Sequence, residues 1–281
     1  MDALRELLAL DFVRHALAAG LLAAALCGIV GTFVVVKRLV FLTGGVSHAA
    51  FGGLGICYFL GIDYRWGAAA AAVGSALALA GAGRGRGRSQ DAVIGTLWAV
   101  GMAVGVVFLH LTPGYAPNLM TYLFGNILTV GRADVLLTAA LVAVLLLLLA
   151  LFWKELVAVA FDEAFAAVQG VPVRRVLTLL LVAVALSVVF LIQLVGSLLA
   201  IALLTIPPTI ALRLFHGFGA VMAAASAVAA AMTLGGLALS YAFDLPSGPA
   251  IVLLGAAMLL LAGTARRWTV RTRSSGPPRG R

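Results

Sequence analysis

The sequence predicts an all-α, polytopic membrane protein. Three observations carry that prediction. Of the 281 residues, 63% are hydrophobic and only 10% are charged, where a soluble domain has about 25% charged residues. Mean hydropathy is +1.15. The apolar residues run in unbroken stretches of about 20, the length of a bilayer-spanning helix, and do not alternate as barrel strands do.

Nine spans follow from these stretches: 13–36, 39–61, 65–82, 92–111, 133–153, 175–192, 195–212, 219–242 and 249–264. The first begins near Phe12 with no basic region before it, so it reads as a retained span and not a signal peptide. Stretch 175–212 holds two spans only if the chain turns tightly near Gln193–Ser197. If it were one broken span, eight would remain and the N-terminus would change sides. Residues 1–265 read as one membrane domain, and 266–281, basic with Pro277-Pro278, as a disordered cytoplasmic tail.

Basic residues set the orientation. With the tail inside, Lys37, Arg38, Arg84, Arg86, Arg88, Lys154, Arg174, Arg175, Arg213 and the tail arginines are all cytoplasmic. Only Arg5, Arg14, Arg65 and Arg132 remain outside. The net charge of +9 therefore reflects membrane topology and not a nucleic-acid-binding face.

Several chemistries are excluded. The chain has no G-x-x-x-x-G-K-[ST], so it does not bind ATP through a P-loop. It has no H-E-x-x-H and no G-x-S-x-G. Cys27 and Cys57 lie inside apolar runs and read as buried thiols. All ten acidic residues fall outside the spans or at their edges, which argues against a proton-driven carrier.

One residue breaks this pattern. In "TGGVSHAAFGG", 43–53, His48 stands about 15 Å from the cytoplasmic edge marked by Lys37 and Arg38, near the bilayer centre. Gly44 and Gly52 are its i−4 and i+4 neighbours on a helix, with Gly45 and Ser47 beside it. Two readings stand. His48 is a ligand for a cation crossing the membrane, or it is a packing residue bonded to a neighbouring helix. His15, His110 and His216 lie at span ends or in links and read as surface residues.

Two further stretches are informative. In "KELVAVAFDEAFAAVQGVPVRR", 154–175, Asp162 and Glu163 can start a short helix that Gly170 and Pro172 stop. Phe161, Phe165 and Val168 share one side of it. It either lies on the membrane or docks a cytoplasmic partner. In "GSLLAIALLTIPPTIALRL", 196–214, Pro207-Pro208 predict a kinked or broken helix.

Taken together, these stretches resemble the membrane permease of bacterial zinc/manganese ABC importers. "GGVSHAAFGG" matches the family's early histidine motif, "FDEAFAAVQGVPVRR" its cytoplasmic loop, and "GSLLAIALLTIPPTIALRL" its later span. "DLPSG" at 244–248 looks like its last outer loop. The resemblance implies a type II-like importer permease fold in the cytoplasmic (inner) membrane, a second copy of the chain, separate ABC ATPase subunits and an extracytoplasmic metal-binding protein. It implies zinc or manganese as cargo, no bound cofactor, no enzymatic activity in this chain and no nucleic-acid partner. It maps the translocation path to His48, and the ATPase coupling helix to Asp162, Glu163, Phe165, Gly170, Val171 and Pro172. Many family members carry an aspartate four residues before the histidine; that position here is Gly44. A site using His48 from both copies is therefore expected. A permease for chelated iron or cobalamin and an ion-driven secondary metal carrier are the alternative readings.

Overall fold

The computed structural model describes residues 10–82, 90–113, 125 and 127–274, with side chains as far as Thr264. Of the tail expected to be disordered at 266–281, residues 266–274 instead continue the last helix, and 275–281 lie outside the described residues. Among the described residues there is no strand.

Ten helices define the fold. They are α1 (Asp11–Val36), α2 (Val40–Phe59), α3 (Tyr64–Ala82), α4 (Gln90–Leu111), α5 (Arg132–Phe161), α6 (Glu163–Val168), α7 (Val173–Val195), α8 (Ser197–Leu214), α9 (Phe218–Phe243) and α10 (Ser247–Ser274). Eight of them are long and apolar enough to cross a membrane. The exceptions are the six-residue α6 and the 19-residue α3.

Helix α3 is about 28 Å long at 1.5 Å per residue, but alanine, glycine and Arg65 lower its hydropathy. Its crossing follows from its neighbours. Gly45 lies against Ile94, Gly44 against Trp98, Gly52 against Gly101 and Gly55 against Gly105. Phe59 meets Phe108 at the far end, with ring centroids 5.5 Å apart. Positions on α2 and α4 advance together, so the two helices run parallel. The chain reaches one from the other through α3, which must return across the same thickness. Among the described residues the bundle therefore makes nine crossings.

Packing explains which helices are central. In lipid the hydrophobic effect does not drive helices together, so close contact relies on small residues. Ala19, Ala23, Leu26 and Cys27 of α1, Val184, Ala185 and Val188 of α7, and Leu203 and Leu204 of α8 are fully buried. Helices α4 and α5 lie at the periphery, each with only 17% of its apolar window buried.

Within α1, Cys27–Gly31 forms a π-helical turn. Its glycines receive two neighbours: a Cβ at Gly28 would stand 2.7 Å from the Met222 carbonyl of α9, and one at Gly31 2.8 Å from the Leu204 carbonyl of α8. That second contact bears on Pro207-Pro208. Helix α8 runs unbroken through both prolines, so the expected break is corrected. Pro208 has no N–H for the Leu204 carbonyl, and Gly31 leaves room for that oxygen against the backbone of α1.

Helix ends follow local chemistry. Gly196, with φ 82° and ψ 163°, separates α7 from α8, so 175–212 holds two spans. The expected link from Lys154 is instead the end of α5, which bends at Phe152 (φ −120°) and continues to Phe161. No glycine or proline interrupts it, and Leu156, Val159 and Ala160 are buried.

The two ends of the bundle also sort by charge. At the end assigned to the outside, Arg65 pairs with Asp134 at 2.8 Å, joining α3 to α5. At the cytoplasmic end Lys37 pairs with Glu163, joining the α1–α2 turn to α6. In a nine-crossing protein with a cytoplasmic C-terminus, a cysteine at Gln90 is labelled by a membrane-impermeant thiol reagent from the cytoplasm alone. One at Leu245 is labelled from outside alone. Labelling of both from one side would show an even number of crossings between them and break this topology.

Candidate functional site

His48 sits midway along α2, and its ring is half-buried. The imidazole stacks on the indole of Trp98 from α4, with centroids 4.6 Å apart and planes 17° from parallel. Its Nδ1 is buried without a hydrogen-bond partner. The expected bond to a neighbouring helix is therefore absent at this atom, and the ring is held by stacking. A buried nitrogen lone pair or N–H without a partner is costly. It is also the kind of group a metal ion or an ordered water satisfies.

The glycines beside it make room for α4. A Cβ at Gly44 would lie 2.8 Å from the Trp98 ring, one at Gly45 2.7 Å from Ile94, and one at Gly52 2.7 Å from the Gly101 carbonyl. Their vacated space is filled by α4 of the same chain. Ser47 is buried beside them. Glycine at 44 is what lets the Trp98 indole lie over the turn that leads into His48.

The other candidates do not join this site. Among the described residues no group of three or more His, Cys, Asp or Glu side chains could hold a metal. Asp11 pairs with Arg14 rather than with His15. His110 ends α4, and His216 is exposed in the link before α9. Sequence reasoning missed Trp98. Its only signal is the helix register: the glycine pairs of α2 and α4 match at a nearly constant offset, which places position 98 beside 44 and 48.

The second candidate is α6. Asp162 caps it, its carboxylate accepting from Ala164 N at 2.9 Å and Phe165 N at 3.0 Å. The helix ends in paired reverse bonds, Val171 N to Ala166 O at 3.1 Å and Gly170 N to Ala167 O at 3.0 Å. This C-terminal motif needs a left-handed residue between helix and loop, and Gly170 supplies it with φ +81°. Pro172 then leads directly into α7. Held at both ends, α6 buries only Ala166. Phe161, Phe165 and Val168 are 67%, 58% and 87% exposed. Two large apolar side chains, Phe165 and Val168, are thus presented by a capped six-residue helix at the cytoplasmic end, beside Phe161 at the end of α5.

Comparison with known proteins defines the class. Residues 9–266 match the ABC 3 transport family. The chain is 39% identical to a membrane protein of uncharacterised function from Synechocystis, over 95% of each chain. It is 30% identical to the manganese transport system membrane protein MntC of Halalkalibacterium halodurans, over 92% of this chain and 88% of that one. Its fold matches the solved structure of PsaBC from Streptococcus pneumoniae in complex with a Fab, with a TM-score of 0.82 and 28% identity. That match covers 93% of this chain and 95% of the other.

The protein is a multi-pass permease of the cytoplasmic membrane, with the fold of ABC transport systems. It belongs to the ABC 3 transport family, a family of metal-transport permeases rather than of enzymes.

The seam that positions His48 can be tested directly. A Cβ at Gly101 would lie 2.5 Å from the Ala49 Cα, whereas nothing lies within 4 Å of one at Gly95 on the same helix. Gly101→Ala should destabilise the detergent-solubilised protein by about 1–3 kcal/mol, the usual cost of overpacking. Gly95→Ala should be neutral or slightly stabilising. Thermal unfolding of the two variants measures the contrast.

Proposed function

We propose that this chain is the translocating subunit of an ABC importer for a divalent transition metal, manganese or zinc. The observation that carries the reading is His48. A metal-ligating side chain stands halfway through the membrane with a buried nitrogen lacking any protein partner. Imidazole is a borderline ligand that takes manganese poorly and zinc well. The relatives named for manganese transport weigh the other way, so both ions remain in the proposal.

One imidazole is too few ligands for a retained metal, and a transport path needs weak, replaceable coordination. A second copy of the chain, backbone carbonyls and water complete the ion's shell. Energy comes from a partner ATPase that docks on α6, where the exposed Phe165 and Val168 offer an apolar contact. An extracytoplasmic metal-binding protein delivers the ion to the outer face. Binding and hydrolysis of ATP in the partner shift the permease between outward- and inward-open states. Residues 1–265 form one permease domain in this reading. A carrier driven by an ion gradient is disfavoured because every acidic side chain lies outside the spans or at their edges.

His48→Ala should lower uptake of manganese and zinc by about tenfold or more, about 1.4 kcal/mol of lost ion stabilisation. Assembly with the ATPase should be unchanged. His48→Gln should be nearly as defective. Metal binds only the neutral imidazole, so wild-type uptake should weaken as the pH falls and the ring takes up a proton. Wild-type uptake rates in His48→Ala would return this residue to packing alone. A separate test addresses α6. Gly170→Val forces a β-branched residue into the left-handed region, at a cost of about 1–2 kcal/mol. Metal moved per ATP hydrolysed should fall while the protein still folds, and an unchanged ratio would remove the docking role.

A further inference from the structure

The cytoplasmic end holds a contact that neither the metal site nor the docking helix explains. Lys37 closes α1, and its side chain is only 15% exposed. Its Nζ donates to the Val159 carbonyl in the last turn of α5, at 3.2 Å, and also to the Glu163 carboxylate. Glu163 is the first residue of α6. One ammonium group thus ties together three elements far apart in sequence: the α1–α2 turn, the end of α5, and α6.

The turn beneath Lys37 is short and strained. Arg38 adopts φ +56°, a left-handed conformation that costs a non-glycine residue roughly 1–2 kcal/mol. Leu39 N donates back to Val34 O at 2.7 Å and Arg38 N to Val35 O at 3.2 Å. Such strain persists only where the surroundings over-determine it, and Lys37 supplies an anchor on each side of the α5–α6 junction. Helix α2 begins immediately afterwards at Val40 and carries His48 two turns further on. Its glycine seam binds α4 and Trp98 to it. A shift of α6 therefore reaches α2 through a rigid turn, and α2 through its seam moves α4.

We infer that Lys37, through its paired contacts with Glu163 and the Val159 carbonyl, is the positioning residue that transmits movement of α6 to the helix bearing His48. Its part is mechanical: it touches neither the metal nor the ATPase. The inference rests on α6 being the ATPase docking helix. Three features make the ion pair suited to this role. It is partly desolvated, so it is stronger than a surface pair. It joins the two elements by side chains, with no covalent link shorter than the whole of α2 to α5. And it is reversible, since Glu163 is 46% exposed and free to exchange partners.

The test uses the complete complex with its ATPase and metal-binding protein, reconstituted in liposomes. The readouts are subunit assembly, ATP hydrolysis and uptake of manganese and of zinc. Lys37→Met should assemble and hydrolyse ATP, while metal moved per ATP falls about tenfold, within the range reported for residues that modulate coupling between sites. Glu163→Gln, on the exposed partner, should lower the same ratio when read per assembled complex, and reads the pair even if Lys37→Met fails to fold. The charge-exchanged pair Lys37→Glu with Glu163→Lys should recover most of the lost ratio, which a purely local role for either residue would not produce. A wild-type ratio in Glu163→Gln, or an exchanged pair no better than the single variants, would overturn the inference. Phe165→Asp separates it from the docking reading. Normal assembly and hydrolysis in that variant overturn both together, whereas lost assembly alongside a wild-type ratio in Lys37→Met overturns the inference alone.

Discussion

Along one face of α2, glycines replace side chains where α4 must come close: Gly44, Gly45, Gly52 and Gly55 meet Trp98, Ile94, Gly101 and Gly105. On another face Gly53 and Gly67 bring α3 to the same helix. A lipid-embedded helix gains little from burying one apolar side chain against another, since lipid is equally apolar. Contact between backbones is what holds it. This seam sets α4 parallel to α2, fixes the register that puts Trp98 over Gly44, and so decides which way the His48 ring faces. A larger residue at Gly44 would displace the indole, and the imidazole would lose the surface that holds it.

The rest of the molecule keeps polar chemistry at the two ends and lets small residues solve the packing between them. Buried hydroxyls within the spans return their hydrogen to the preceding turn, as Ser187 does to Ala183 and Thr233 to Ala229. Neither hydroxyl is left without a partner, in keeping with the cost of unsatisfied groups in hydrocarbon. Against that background the unpartnered Nδ1 of His48 is an exception, and the proposed metal path rests on it. At the cytoplasmic end the exceptions are the exposed apolar side chains of α6 and the strained Arg38. Together they place the proposed docking element, the Lys37–Glu163 pair and the start of the histidine helix within one small region.

Much of this was legible in the sequence, for physical reasons that differ from place to place. Span ends were readable where arginine and aspartate mark the limit of the hydrocarbon, and where a glycine can take a left-handed conformation between two helices, as Gly196 does. Helix α6 was readable because Asp162 and Gly170 have specific local bonding roles, and both make the bonds their types suggest. The end of α5 was misread because a lysine and a glutamate mark where a chain leaves lipid, not where its helix stops. Whether the prolines of α8 would break it was not legible, because a freed carbonyl can be accommodated by a partner helix, here at Gly31, which local sequence does not reveal. The partners of Gly44 and His48 were invisible for the same reason: they lie about 50 residues away and emerge only from the register between α2 and α4.

The central claim is that this chain moves a metal ion only as part of an ATP-driven assembly, past a histidine at mid-membrane. The measurement that tests it most directly is uptake of labelled manganese and zinc into liposomes, with the chain alone and with its ATPase and metal-binding protein. The account predicts uptake only in the complete assembly, only with hydrolysable ATP at the cytoplasmic face, and none from the chain alone under a proton or sodium gradient. Uptake by the isolated chain at the rate of the full assembly, independent of ATP, would contradict it.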